Sequence, residues 1–459
     1  MPVTQKTERR LITQHASTIL VGQLAVMAFG ITDTLVAGRF DQKALAALSV
    51  GSAVYISVFV ALMGILQALL PVLSEMHGAK KPLEVGRQFR QGLYLLVISS
   101  ATGIAILLNP HLILQWTQVP QALEQEVSAY LAVQCLGLPL ALLFRMFSTL
   151  NQSIGKPKLV TWIQIIGLLL KIPLSIAMTF GIGQADALGL MGCAWATFIV
   201  YLAMVLICIA LLRQQALYKP FQIWCAMERP DWASLQNLLR IGLPNALSVA
   251  VEVTSFTLMA LFIARQGTTA AATHQIITSL AALLYMAPLS LSIATSARVS
   301  FWLGAQDPLK ARMVMKQGFL LDWSLASMVS VMIFILNPWI APLFSSNPEV
   351  VSAASGVLIW LSLYHLGDAT QVMCFFMLRC YKITIMPLVL YCIFLWGVGL
   401  MGGYHLAYEG LEIMNWPAMP SPKTFWLSNT AAVFTVSICM LSLLNWVSKK
   451  SIQDQQLGR

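Results

Sequence analysis

Apolar residues along this chain gather into long runs separated by short polar stretches. A window of about 19 residues finds roughly twelve such runs, each able to cross about 30 Å of hydrocarbon as a helix rising about 1.5 Å per residue. They lie near 12–37, 45–73, 88–108, 124–150, 158–181, 187–212, 233–264, 271–301, 314–337, 350–378, 384–407 and 424–447. The pattern predicts an all-α polytopic membrane protein with twelve transmembrane helices.

The polar stretches alternate in charge. One set carries Lys80, Lys81, Arg87 and Arg90, then Lys156 and Lys158, Arg213, Lys219, Arg229 and Arg240, Lys310, Arg312 and Lys316, Arg379 and Lys382, and Lys449 and Lys450. The other set holds little beyond Arg39, Lys43, Arg265 and Lys423. Basic residues collect on the cytoplasmic side of membrane proteins, so both termini are expected in the cytoplasm.

The chain also repeats itself. HGAKKPLEVGRQFRQG (77–92) aligns with LGAQDPLKARMVMKQG (303–318), and LNPHLILQWTQVP (108–120) with LNPWIAPLFSSNP (336–348). An even number of spans returns the chain to its starting side. The expected organisation is therefore two six-helix lobes, 1–212 and 233–459, joined by a polar cytoplasmic linker at 213–232. Pseudo-twofold symmetry along the membrane normal relates them. Such repeats suit alternating access.

Composition sharpens this picture. The chain has 459 residues, 58% hydrophobic and only 10% charged, which a soluble protein could not bury. The net charge of +10 is accounted for by the loops and points to no nucleic-acid partner. The basic N-terminus leads into an apolar run long enough to stay in the bilayer rather than be cleaved. The eight cysteines lie scattered, without a C-x-x-C pair, and read as small core residues. No HExxH, G-x-S-x-G or P-loop signature occurs, so no enzymatic function and no cofactor is expected.

Six ionisable residues fall well within the runs: Asp33, Arg145, Lys171, Glu252, Asp322 and Asp368. Each costs about 2.5–3.5 kcal/mol or more at a helix centre and so marks a candidate site. Glu252 and Asp368 lie roughly 18 and 25 Å from the outer ends of their spans at about 1.5 Å per residue. Both belong to the second lobe. Two carboxylates in one low-dielectric pocket need a shared proton or a small cation, and Na⁺ prefers such oxygen ligands. Asp33 lies about 8 Å and Lys171 about 15 Å deep in the first lobe, and the long lysine stem leaves an Asp33–Lys171 pair geometrically open. Asp322 and Arg145, nearer their span ends, read as snorkelling or helix-packing residues.

These residues resemble the MATE family of multidrug and toxic compound extrusion transporters, its NorM-type bacterial branch above all, over essentially the whole chain. The first span ends in G-x-x-D-T-x-x-A-G (Gly30, Asp33, Thr34, Ala37, Gly38), with Gln23 ten residues before the acid. The seventh carries Gly242-Leu243-Pro244 and then Glu252-Val253-Thr254-x-Phe256. The eighth has His274-Gln275-Ile276, and the tenth Tyr364, Asp368, Leu378-Arg379-x-Tyr381-Lys382.

The resemblance implies a monomeric bacterial inner-membrane antiporter that expels organic, mostly cationic compounds as Na⁺ or H⁺ enters; a flippase for a lipid-linked precursor is the alternative within related folds. It implies a coupling site of Glu252 and Asp368 with Tyr364 and Gln275, and Asp33 as a titrating acid of the first lobe. Tyr55, Phe59, Met63, Tyr285 and Met286 are expected to line the substrate cavity, where rings and thioethers suit cationic aromatic compounds. The chain departs from the family in its first lobe. Thr18 replaces a proline, Lys171 and Ser175 replace two asparagines, and Ser148 and Asn151 replace an arginine and an acid. Lys171 is therefore expected to act as a counter-charge to Asp33, leaving coupling to Glu252 and Asp368.

Overall fold

A computed structural model describes residues 5–110, 121–181, 186–410 and 417–457. Among them there is no strand, and twelve helices are long and apolar enough to cross a membrane. In chain order these are α1 (Gln5–Phe40), a second span broken into α2 (Gln42–Leu66) and α3 (Leu69–Gly78), α4 (Pro82–Leu108), α5 (Gln121–Ser153), α6 (Pro157–Phe180) and α7 (Leu190–Gln214). Then come α8 (Trp232–Ala264), α9 (Thr268–Gly304), α10 (Pro308–Phe344), α11 (Pro348–Cys380), α12 (Ile385–Tyr408) and α13 (Pro422–Gln456).

The helices run past the hydropathic windows because their first turns are polar and capped. Proline occupies the first turn of α4, α6, α10, α11 and α13, where its missing N–H costs nothing. The side chains of Asp41, Asp307, Asn347 and Ser421 each accept from a backbone N–H of the turn that follows.

The sequence repeat reappears in the backbone. Lys80 and Gln306, 226 positions apart, both take left-handed φ angles (57° and 56°) just before a proline-started helix. Their turns close identically. Ala79 and Ala305 donate to Glu75 and Phe301, Lys80 and Gln306 to His77 and Leu303, and Lys81 and Asp307 to Met76 and Trp302, all at 2.9–3.1 Å. A second pair, Gly155 and Lys382 (φ 71° and 61°), follows the same logic. The repeat piece 108–120 lies largely outside the described residues.

The helices form two compact units, Thr18–Ala246 and Leu247–Arg459, the latter including Met1–Ser17. The division falls inside α8 because the first turns of that helix pack on α2. Asn245 Nδ2 donates to the carbonyl of Gly64 at 2.6 Å. A Cβ on Gly64 would meet the Cα of Ala246 at 2.7 Å, and one on Gly242 the carbonyl of Ile65 at 2.6 Å.

The linker is a packed element of the first unit. A 3₁₀ turn (Ala216–Phe221) buries Tyr218, whose hydroxyl donates to Asn151 Oδ1 at 2.8 Å. Beyond it Arg90 clamps the chain. Its Nε donates to Glu228 at 2.8 Å, Nη2 reaches the other carboxylate oxygen, and Nη1 donates to the carbonyl of Gln222 at 2.6 Å. Tyr94 donates to the carbonyl of Glu228 at 2.7 Å, and Gln91 both donates to Arg229 and accepts from Asp231 N–H.

The Arg90 hydrogen bonds hold the Glu228 carboxyl down at about 2, against an ordinary value of 4.5. A depressed carboxylate contributes stability above its unfolded value and loses it as pH falls through the folded one. The clamp is therefore expected to hold fully above pH 4.5 and to open progressively towards pH 2. Limited proteolysis of 216–231 at pH 7 and pH 3 checks this. Linker cleavage in Glu228→Gln should already be fast at pH 7.

In the second unit, Glu8 at the start of α1 is fully buried. It accepts from Arg298 Nε at 3.0 Å, from Nη2 at 2.5 Å and from the Trp302 indole at 3.1 Å.

Candidate functional site

The second unit carries Glu252 in the middle of α8 and Asp368 in α11. Asp368 is 4% exposed, whereas Glu252 is half-buried. The two lie within electrostatic reach of one another, and both act on Tyr285 of α9, Tyr364 of α11 and Tyr391 of α12. Four helices thus converge on the two acids.

An aromatic group stands beside them. Tyr364 packs edge-on against Phe256, one turn after Glu252, at 6.2 Å and against Trp426 of α13 at 5.4 Å. Phe256 and Trp426 lie 6.2 Å apart, and His274 of α9 adds a fourth ring 6.0 Å from the indole. Ring pairs at these distances favour tilted and edge-to-face contacts. The Trp426 indole N–H is buried without a hydrogen-bond partner among the described residues, leaving a donor in this region.

Helix α12 widens to π geometry over Cys392–Met401, next to the acid-bearing turn of α8. Trp396 Nε1 donates to the carbonyl of Val251 at 3.2 Å, and Ser255 donates to the carbonyl of Leu395 at 3.5 Å. π segments occur preferentially at functional sites, since each breaks the regular helix ladder.

Of the residues singled out in the sequence, Tyr364 and Tyr285 join the acids. Met286 is half-buried on α9 beside Tyr285. Gln275 does not hydrogen-bond to either acid; it is exposed, and its amide donates to Ser279 of its own helix at 3.4 Å. Helix register explains the difference. Successive positions are turned about 100° from one another, and His274 points to the rings, so the side chain that follows it points elsewhere. His274 belongs to the motif of the eighth span, whereas Trp426 and Tyr391 carry no signal in the sequence. Trp426 sits five residues into a span, where an interfacial aromatic belt is the ordinary expectation.

The first unit holds a different arrangement. Lys171 of α6 is fully buried, with Nζ 2.6 Å from Asp33 Oδ1 of α1. The same ammonium donates to Thr197 Oγ1 at 2.6 Å and to the carbonyl of Cys193 at 3.1 Å, both on α7. Ser175 and Thr197 donate to the Asp33 carboxylate at 3.4 and 3.5 Å. All three ammonium protons are thereby used, as a buried charge requires. Tyr55 and Phe59 stack on each other at 6.0 Å on α2 and, with half-buried Met63 on the same helix, belong to this unit.

Twelve apolar helices with carboxylates buried inside them define a polytopic integral membrane protein. The MatE family profile matches residues 18–177 and 244–405, so the chain belongs to the MatE family. It is 35% identical over 438 residues to a probable multidrug resistance protein NorM of Aromatoleum aromaticum, covering 95% of this chain and 94% of that one. It is 31% identical over 444 residues to the multidrug resistance protein MdtK of Yersinia pseudotuberculosis, covering 96% of each. Among solved structures its fold is similar to the eukaryotic MATE transporter AtDTX14 (TM-score 0.86, 19% identity, 97% of this chain and 98% of that one). It is likewise similar to the Vibrio cholerae MATE transporter VcmN in its bent form (TM-score 0.85, 16% identity, 97% and 98%).

Proposed function

We propose that the protein is a multidrug efflux antiporter of the bacterial inner membrane, both termini cytoplasmic, that exports organic cations by alternating access as Na⁺ or H⁺ enters. The observation that carries this reading is the placement of Glu252 and Asp368 in one lobe beside the rings of Tyr364, Phe256 and Trp426. A small cation is held by the two carboxylates; a larger organic cation gains from a carboxylate and an aromatic face together. Coupling requires that the two ligands favour opposite conformations, because each shifts the equilibrium only by its differential affinity. The names of the NorM and MdtK relatives agree with drug efflux.

Protein reconstituted in liposomes loaded with an ethidium-like dye tests this. Imposed Na⁺ and H⁺ gradients are expected to drive dye transport in one of the two cases, which identifies the ion. Dye movement indifferent to both gradients, or movement of a lipid-linked precursor alone, overturns the reading.

A further inference from the structure

One buried acid of the second unit lies outside the Glu252–Asp368 pair. Asp322 lies on α10 about 21 Å from its first residue at about 1.5 Å per residue. Its side chain does not snorkel: the residue is 1% exposed, enclosed where α9, α10 and α11 pack together. Both carboxylate oxygens lack a hydrogen-bond partner among the described residues.

The neighbouring helices bring further unpaired groups to this junction. A Cβ on Gly318, one turn before Asp322, would meet Thr295 Cγ2 at 2.3 Å and Oγ1 at 2.7 Å, so the Thr295 hydroxyl of α9 faces this side of α10. Ser292 lies one turn from Thr295 towards the level of Asp322, since α9 and α10 run antiparallel across their short turn. Trp323 Nε1 donates to Thr370 of α11 at 3.0 Å, which brings this turn of α10 against the turn of α11 that carries Gln371. Gln371 lies between Asp368 and Cys374, both within electrostatic reach of Asp322. Ser292, Thr295 and Gln371 are all buried, and their side-chain polar atoms have no partner among the described residues. Elsewhere in α9, Ser290 and Ser296 return their hydroxyls to backbone carbonyls at 2.7 and 2.9 Å, while those of Thr273 and Ser300 are also buried without a partner among the described residues.

Orphaned buried polar groups are costly, and an uncompensated carboxylate more so. The titratable groups within electrostatic reach of Asp322 are Asp368 and Cys374 of α11. From α9 the facing groups are hydroxyls. A carboxylate, two hydroxyls and an amide oxygen form a hard, oxygen-only donor set.

We propose that Asp322, with Ser292, Thr295 and Gln371, forms a second site for a small monovalent cation, next to the Glu252–Asp368 site and coupled to it through Asp368. The site deepens the antiport reading and rests on it: a lobe with two such sites carries more than one positive charge per cycle.

The test counts cations on purified full-length protein. ²²Na⁺ binding is measured at fixed pH for the wild type, Asp322→Asn and Asp368→Asn. In Na⁺-free liposomes a trapped pH dye reports protons moved per dye molecule exported. For a Na⁺ site, Asp322→Asn is expected to lower the bound Na⁺ count by one; for a proton site, to lower the proton count by one. A wild type with neither Na⁺ binding nor proton movement refutes antiport itself. A responsive wild type matched in count by Asp322→Asn refutes only the Asp322 site. A second variant, Ser292→Ala with Gln371→Met, retains the acid and covers the case in which Asp322→Asn does not fold. Its cation affinity should fall at least tenfold, and an unchanged affinity overturns the proposal.

Discussion

Glu252→Gln is expected to stop ion-driven efflux while leaving the protein folded. The substitution keeps the side chain's shape and removes its charge. On the proposed coupling its loss leaves only Asp368 to receive the ion, and Asp368 is the more deeply buried of the two. Contacts to a charged group are worth about 1.5–3 kcal/mol, so the initial efflux rate should fall about 10- to 100-fold. Asp368→Asn should match it, and the double variant should be little worse than either, because the carboxylates act as one unit. The rate is read from dye efflux in liposomes, with gel filtration confirming the fold. Efflux by Glu252→Gln within about twofold of wild type, under about 0.5 kcal/mol, would remove Glu252 from the coupling site.

Lys171→Met should cause the largest loss of stability. The lysine is fully enclosed and its ammonium is shared among Asp33, Thr197 and the carbonyl of Cys193. Removing one partner of a buried ion pair leaves the other charge uncompensated, at a cost of about 3–5 kcal/mol. Replacing both partners avoids that cost, so Asp33→Asn with Lys171→Met should recover most of the loss. Thermal unfolding in detergent distinguishes these cases. A Lys171→Met variant melting within about 2 °C of wild type would show the pair to be dispensable. The pair also bears on coupling. The Asp33 carboxylate has an ammonium at 2.6 Å as its internal counter-charge. Lys171→Asn is therefore expected to introduce a pH dependence that the wild-type first lobe lacks. Transport abolished by Asp33→Asn but unaltered in pH profile by Lys171→Asn would contradict this.

The spans were legible because lipid imposes a single requirement, a long apolar helix, that composition alone reveals. Their ends were less so: α10 begins at Pro308 against an expected 314, since a capped polar turn carries no hydropathic signal, and runs on to Phe344 against an expected 337. The acids announced themselves by their cost, and Lys171 by its chemistry. Depth along a span does not report rotation about it, which is why Asp322 reads as a snorkelling residue until α9 and α11 are seen to enclose it. Rotation likewise leaves the Gln275 amide on Ser279 of its own helix, and Trp426 is hidden by its resemblance to an interfacial anchor. The linker's polarity sets it apart from the spans, but polarity does not reveal partners such as Arg90 and Gln91, which lie 132 and 138 positions from the linker groups they bind.

The contact between Glu8 and Arg298 bears on how the chain is made. Its two ends are 290 positions apart. During synthesis the opening helix emerges first, yet the guanidinium that receives its acid is added only after most of the protein exists. Pairings this remote in sequence form late and slow maturation. Until then Glu8 must remain hydrated, and the first turns of α1 cannot take up their final place.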